Sequence, residues 1–120
     1  MNKDYILNLA KQILEIDSPS GYTNKIISFL ETVCKEKNLN YERNKKGNLI
    51  ITIPGKTDYV TGLSAHVDTL GAMVRSVKSD GTLAFTPIGG PILPTYDGEY
   101  CKGYTREGKT YSGTFLSNAP

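Results

Sequence analysis

One histidine and one aspartate, two residues apart, are the side chains of this sequence best suited to chemistry. His66 is the single histidine of the chain, and Asp68 follows it in Ser64-Ala65-His66-Val67-Asp68. On an extended strand, residues two apart face the same side, so these side chains can meet. The pairing suits a metal ligand that donates its other ring proton to a carboxylate, or a general base oriented by an acid. It equally suits a core histidine satisfied by a neighbouring aspartate, and spacing alone leaves the three interpretations open.

The ligand supply argues against a complete metal site within these 120 residues. A catalytic zinc site uses about three protein ligands, mainly His, Cys, Asp and Glu. Beyond the histidine, the chain offers carboxylates and two cysteines, Cys34 and Cys101. Asp97, Glu99 and Cys101 alternate on one face of a predicted strand. Nothing in the sequence places that face beside His66.

Two amphipathic helices are predicted ahead of the histidine. Apolar residues recur at helical spacing from Ile6 to Leu14 and again from Ile26 to Cys34. The intervening segment 17–21, Asp-Ser-Pro-Ser-Gly, predicts a break, because proline removes a backbone donor and glycine permits positive φ. Cys34 lies on the apolar stripe of the second helix, so we predict a buried structural cysteine there.

From residue 40 onward the pattern favours strands and turns. Segments 48–53 and 59–66 are rich in β-branched or small apolar residues, as strands are. Segment 59–66 resembles an interior strand, and its C-terminal end is where α/β sheets place functional groups. Two hairpins are predicted after it: 73–77 with 82–85, and 99–104 with 110–115. The change to small hairpins indicates a domain boundary near residue 72.

Composition excludes several classes of function. Apolar residues make up 38% of the chain and charged residues 22%, and the net charge is only +2. This balance favours a folded domain over disorder and gives no footprint for nucleic acid or anionic lipid. The densest basic group, Arg43, Lys45 and Lys46, falls at a predicted turn over 44–47 and is interpreted as solvated.

No targeting feature is predicted. The first twelve residues are polar every few positions, which is not typical of a signal peptide, and no apolar run approaches the roughly 20 residues of a membrane span. Two cysteines far apart, in no CxxC pattern, favour a reducing compartment. We therefore expect a cytoplasmic protein with no membrane partner.

Four motifs in a fixed order carry a family resemblance. They are Gly47-Asn48-Leu49-Ile50, Ser64-Ala65-His66-Val67-Asp68, Gly71-Ala72-Met73-Val74 and Pro87-Ile88-Gly89-Gly90. Together they resemble the start of the tetrahedral aminopeptidases, a metallopeptidase family that includes glutamyl and deblocking aminopeptidases and members classed as endoglucanases. Leu93-Pro94-Thr95-Tyr96 and Leu116-Ser117-Asn118-Ala119-Pro120 resemble one branch of it.

The resemblance implies an α/β fold in two parts. Residues 1–72 would open a catalytic domain in which helices surround a mixed sheet. Residues 73–120 would begin a β-rich inserted domain through which the family assembles into homo-oligomers, often dodecamers. The matching motifs span essentially the whole chain.

The resemblance assigns roles to two residues. His66 matches the first metal ligand of a two-metal site, and Asp68 matches the catalytic-site acid that orients that histidine. The paired metals would activate a water that attacks the peptide carbonyl. The family's metals would be zinc or cobalt, and the types of ligand would also allow manganese. The remaining ligands and the general base lie beyond the insertion in the family. We therefore expect the 120-residue chain alone to be inactive and to hold no metal tightly.

Three functional hypotheses follow. The first is that the chain is the N-terminal fragment of a two-metal aminopeptidase that hydrolyses N-terminal residues from peptides. The second is a non-catalytic assembly module that retains the insertion and pairs through an exposed strand edge. The third is a related dipeptidase or deacylase, which the run His66-Val67-Asp68-Thr69 alone would allow. The order of the four motifs favours the first.

Overall fold

The computed structural model describes residues 2–117, which contain two α-helices and six strands. The chain divides into two units, Met1–Gly89 and Gly90–Pro120. The first unit comprises α1 (Lys3–Glu15), α2 (Asn24–Glu36), β1 (Asn40–Arg43), β2 (Leu49–Thr52), β3 (Gly71–Val77) and β4 (Leu83–Ile88). The second comprises a 3₁₀ turn (Leu93–Tyr96), β5 (Tyr100–Tyr104) and β6 (Thr110–Thr114). The last three residues of the motif 116–120 lie outside the described residues.

Both predicted helices are confirmed, with different burial. Asn2 caps α1, because its side-chain oxygen accepts a hydrogen bond from the Tyr5 backbone N–H at 3.1 Å. The apolar stripe of α1 is only half covered, and Leu14 is 77% exposed. In α2 the stripe is buried at Ile26 and Cys34, as predicted for the cysteine.

The core of the first unit lies where α2 packs on the β1–β2 hairpin. The hairpin turns at Asn44, whose side-chain oxygen accepts the backbone N–H groups of Lys46 and Asn48, both at 3.0 Å. Gly47 completes the turn with φ of 87°. Lys45 and Lys46 are exposed there, as predicted for a solvated basic turn. Among the described residues, the buried apolar side chains are those of Ile26, Ile27 and Cys34.

The two later hairpins are confirmed. β3 pairs antiparallel with β4, and β5 pairs antiparallel with β6. In the second unit Tyr96 stacks on Phe115 with ring centroids 5.0 Å apart. Residue 115 is also tied into the turn before β5, since its backbone N–H donates to the Glu99 carbonyl at 2.9 Å. These contacts give the second unit its own small cluster.

The predicted strand over 59–66 is wrong for this chain. The segment has no strand pairing, and Tyr59, Val60 and Leu63 are 85%, 87% and 97% exposed. The apolar pattern shows that a segment is fit for burial, but a strand also needs a neighbouring backbone to pair with. In residues 2–117 the paired sheets are three separate antiparallel hairpins, β1–β2, β3–β4 and β5–β6.

The described chain therefore mixes helices with small antiparallel strand pairs, consistent with the predicted α/β class. Both α-helices are 13 residues long. Within residues 2–117, none of the helices has the length and apolar character that crossing a bilayer requires.

The small core predicts where the chain is sensitive to truncation. Ile26 is fully buried, so Ile26→Ala should lower the free energy of unfolding by about 2–5 kcal/mol. Leu63→Ala removes a similar side chain from an exposed position and should change it by less than about 0.5 kcal/mol. Chemical denaturation of the two variants and the wild type measures both values. Equal losses for the two variants would contradict the assigned core.

The β3–β4 turn predicts a pH effect at Asp80. The backbone N–H and hydroxyl of Thr82 donate to its carboxylate at 2.9 and 2.7 Å and lower the pKa of Asp80. Because this pKa lies below the unfolded value of about 3.9, the contacts stabilise the hairpin above that pH. Their contribution is lost as the pH falls through the folded pKa. Carboxyl NMR titration should show a depressed midpoint that Thr82→Val raises, and a midpoint unchanged by that substitution would contradict the assignment.

Candidate metal centre

His66 and Asp68 meet in the structure. The imidazole Nδ1 lies 3.1 Å from the Asp68 side-chain oxygen Oδ1 and 3.1 Å from the Asp68 backbone carbonyl oxygen. The His66 side chain is 85% exposed and that of Asp68 39% exposed. Both acceptors favour the tautomer that carries its proton on Nδ1, which makes Nε2 the nitrogen with the lone pair.

A backbone bridge positions this pair. The residue on each side of Pro19 is tied to Thr69: the Thr69 N–H donates to the Ser18 carbonyl at 2.9 Å, and the Ser20 N–H donates to the Thr69 carbonyl at 3.3 Å. Pro19 and Thr69 thus form an isolated parallel bridge. The Ser18 hydroxyl, in a residue only 1% exposed, donates to the Val67 carbonyl at 2.8 Å. Hydrogen bonds to the segment between the two helices therefore hold residues 67–69 in place.

Ser20 also contacts the candidate site through its side chain. Its hydroxyl donates to the Asp68 oxygen Oδ2 at 2.5 Å. This hydrogen bond is the largest cause that lowers the pKa of the Asp68 carboxyl; desolvation opposes it, and the hydrogen bond with His66 lowers the pKa further. Asp68 is thus held as a carboxylate facing the imidazole.

A close approach of two chain segments completes the bridge. A side-chain Cβ at Gly71 would lie 2.5 Å from the Pro19 Cβ, closer than two carbon atoms can pack. Only glycine lets the start of β3 pass the Pro19 ring at this distance.

Comparison with known proteins places the chain in a family. The family model described as M42 glutamyl aminopeptidase matches residues 47–120, a stretch that includes both His66 and Asp68. The chain belongs to this M42 family. The predicted resemblance to the glutamyl and deblocking aminopeptidases is confirmed.

Individual relatives agree with this assignment. The chain is 45% identical over 111 residues to a Bacillus subtilis protein named "Putative aminopeptidase YhfE", covering 92% of this chain and 32% of the relative. It is 31% identical over 108 residues to the lysyl aminopeptidase of Pyrococcus furiosus, covering 86% and 30%. It is 28% identical over 106 residues to the glutamyl aminopeptidase of Lactococcus lactis subsp. cremoris, covering 87% and 30%. The chain thus spans about a third of the length of these relatives.

The residues present fit a metal-ligating histidine. A ligating histidine generally donates its second ring N–H to a carboxylate or a carbonyl, which fixes the tautomer and the ring orientation. His66 has both kinds of acceptor at 3.1 Å. Its side chain is open to the surroundings, so Nε2 is accessible to a cation. The role of each residue stays a prediction, whereas their contact is a feature of the structure.

The other candidate ligands have contacts of their own. Within residues 2–117, no three His, Cys, Asp or Glu side chains come together as a metal site. Asp97 accepts the Ser117 backbone N–H at 2.7 Å, and Cys101 is half-buried in β5. Cys34 is buried in α2, and burial raises the pKa of its thiol, as does the nearby Glu31 carboxylate.

Sequence reasoning missed Ser18 and Ser20. It interpreted segment 17–21 only as a break between helices, because proline and glycine dominate that pattern. The signal available in the sequence was that two serines, Ser18 and Ser20, flank Pro19 in the short connection between the helices. Their partners lie 48 and 49 residues further along the chain, a distance that no local pattern reports.

The close approach at Gly71 predicts a test of the bridge. Gly71→Ala must push Pro19 away from β3 and should lower the free energy of unfolding by about 1–3 kcal/mol. Gly62→Ala is the matched control, because a Cβ at Gly62 meets no atom within 4 Å. That variant should stay within about 0.5 kcal/mol of the wild type. Thermal or denaturant unfolding compares them, and a neutral Gly71→Ala would contradict the bridge.

Proposed function

We propose that this chain is the N-terminal portion of a two-metal aminopeptidase that removes N-terminal residues from peptides. Membership of the M42 family and relatives named as glutamyl and lysyl aminopeptidases support the reaction class. The observation that carries the proposal to this chain is the contact of His66 Nδ1 with the Asp68 carboxylate inside the family-matched stretch.

His66 and Asp68 would have different roles at the metal. His66 would bind one of two divalent ions, zinc or cobalt, through Nε2. Asp68 would hold the ring in place by accepting a hydrogen bond from its Nδ1–H, which increases the basicity of the ligand. When bound, such a metal pair lowers the pKa of a water and polarises the peptide carbonyl. Asp68 accordingly acts through the histidine.

Exposed apolar surface supports a larger parent protein. Just before the histidine, three apolar side chains are almost fully exposed, although their pattern is that of an interior strand: Tyr59, Val60 and Leu63. In the proposed parent, this segment pairs within a mixed sheet completed by residues that the chain lacks. The remaining ligands and the general base would come from the same missing part, so the 120-residue chain alone would be inactive.

The organisation of the parent follows the same proposal. Residues 1–72 would belong to its catalytic domain, and residues 73–120 would begin an inserted domain that assembles copies of the protein into an oligomer. Cys34 and Cys101 are both free thiols, which agrees with the reducing environment of the cytoplasm.

Metal dependence tests the proposed reaction. We expect the protein purified from its source cells to release amino acids from aminoacyl p-nitroanilides, to lose this activity after chelation and to regain it with zinc or cobalt. His66→Ala should lower kcat/KM by more than about 100-fold, because a ligand is lost. Asp68→Asn should lower it by about 10- to 100-fold, as for other outer partners of metal ligands.

Lys45→Ala serves as the control, since it removes a charge from the exposed turn after β1 and should leave kcat/KM unchanged. Full activity after chelation, or in His66→Ala, would contradict the proposal. A purified protein that never cleaves any aminoacyl substrate would instead favour the non-catalytic assembly module.

A further inference from the structure

We infer that Ser20 is a positioning residue for His66, acting through Asp68. Its hydroxyl fixes one oxygen of the carboxylate, so that the other oxygen faces the imidazole. The segment between the two helices is then part of the candidate metal centre as well as a connection. This inference rests on the proposed role of His66 as a ligand.

The two oxygens of Asp68 have different partners. Oδ2 accepts the Ser20 hydroxyl at 2.5 Å, and Oδ1 lies 3.1 Å from the His66 Nδ1. A carboxylate held at one oxygen can still rotate about its side-chain bonds, whereas one held at both has a defined plane. Ser20 therefore supplies the second point of attachment that turns a flexible acid into a fixed acceptor.

Ser20 is itself held by its surroundings. Its own N–H donates to the Thr69 carbonyl at 3.3 Å, which places its backbone beside the residue that follows Asp68. In addition, the Tyr22 N–H donates to the Pro19 carbonyl at 2.7 Å and closes a turn over residues 19–22 that contains Ser20. The hydroxyl thus approaches the carboxylate from a backbone with little freedom, which preorganised sites require.

Burial does not account for this hydrogen bond. Ser20 is exposed, so water could satisfy its hydroxyl at little cost. Ser18, two residues earlier, is buried, and its hydroxyl donates to a backbone carbonyl instead. The two serines therefore have separable effects: Ser18 stabilises the bridge, and Ser20 orients the acid.

The single histidine makes the test direct. In the 120-residue chain, selective ¹⁵N labelling of histidine gives one imidazole, His66, whose nitrogen shifts report the tautomer. We expect the wild type to carry its proton mainly on Nδ1, and zinc ions added alone to shift Nε2.

Ser20→Thr and Ser20→Val form a matched pair, since the two side chains have the same shape and only threonine retains the hydroxyl. Ser20→Thr should keep the wild-type tautomer, whereas Ser20→Val should move it toward the mixture of an unrestrained imidazole. Ser20→Val should also weaken zinc binding by about tenfold, the lower end for outer partners of a ligand. Ser18→Ala should reduce stability yet retain the tautomer.

The possible outcomes distinguish the role of Ser20 from the role of His66. Identical tautomer and zinc affinity in the threonine and valine variants would overturn the inference about Ser20 while leaving His66 as a ligand. A wild type that carries its proton mainly on Nε2 would have no lone pair there for a metal and would contradict the proposed role of His66 itself. Equal effects of Ser18→Ala and Ser20→Val on the tautomer would reduce Ser20 to a structural contact and also overturn the inference.

Discussion

The backbone bridge between residues 18–20 and 67–69 is the constraint on which the candidate site depends. It joins the segment between α1 and α2 to the stretch that carries Asp68, through two backbone hydrogen bonds and the buried Ser18 hydroxyl. Without it, His66 and Asp68 would lie in a segment with no strand pairing to hold them. The same bridge explains why glycine is required at Gly71, where β3 passes the Pro19 ring.

Stability and function are distributed unevenly around this bridge. The apolar core is small and lies under α2, at Ile26, Ile27 and Cys34. The residues assigned to chemistry lie outside it and are positioned by hydrogen bonds rather than by packing. Polar contacts that are open to water contribute little to folding but define direction well. That combination suits a metal ligand, which needs orientation and access together.

Local pattern predicted the elements of this chain well. Helical spacing located α1 and α2, and strand segments separated by turn residues located the β3–β4 and β5–β6 hairpins. The pairing of His66 with Asp68 also followed from their separation of two residues. The strand over 59–66 could not be judged in this way, since its formation depends on a partner backbone that the pattern does not contain. The contacts of Ser18 and Ser20 were not predicted for a related reason, because their partners are distant in sequence.

We propose that this chain belongs to a longer enzyme in which His66 binds one of two metal ions. Native mass spectrometry of the protein from its source cells tests the claim in one measurement, because it reports chain mass, bound metals and assembly together. The account predicts a chain much heavier than 13.2 kDa that carries two divalent metal ions and assembles into an oligomer. A metal-free chain of 13.2 kDa would contradict it.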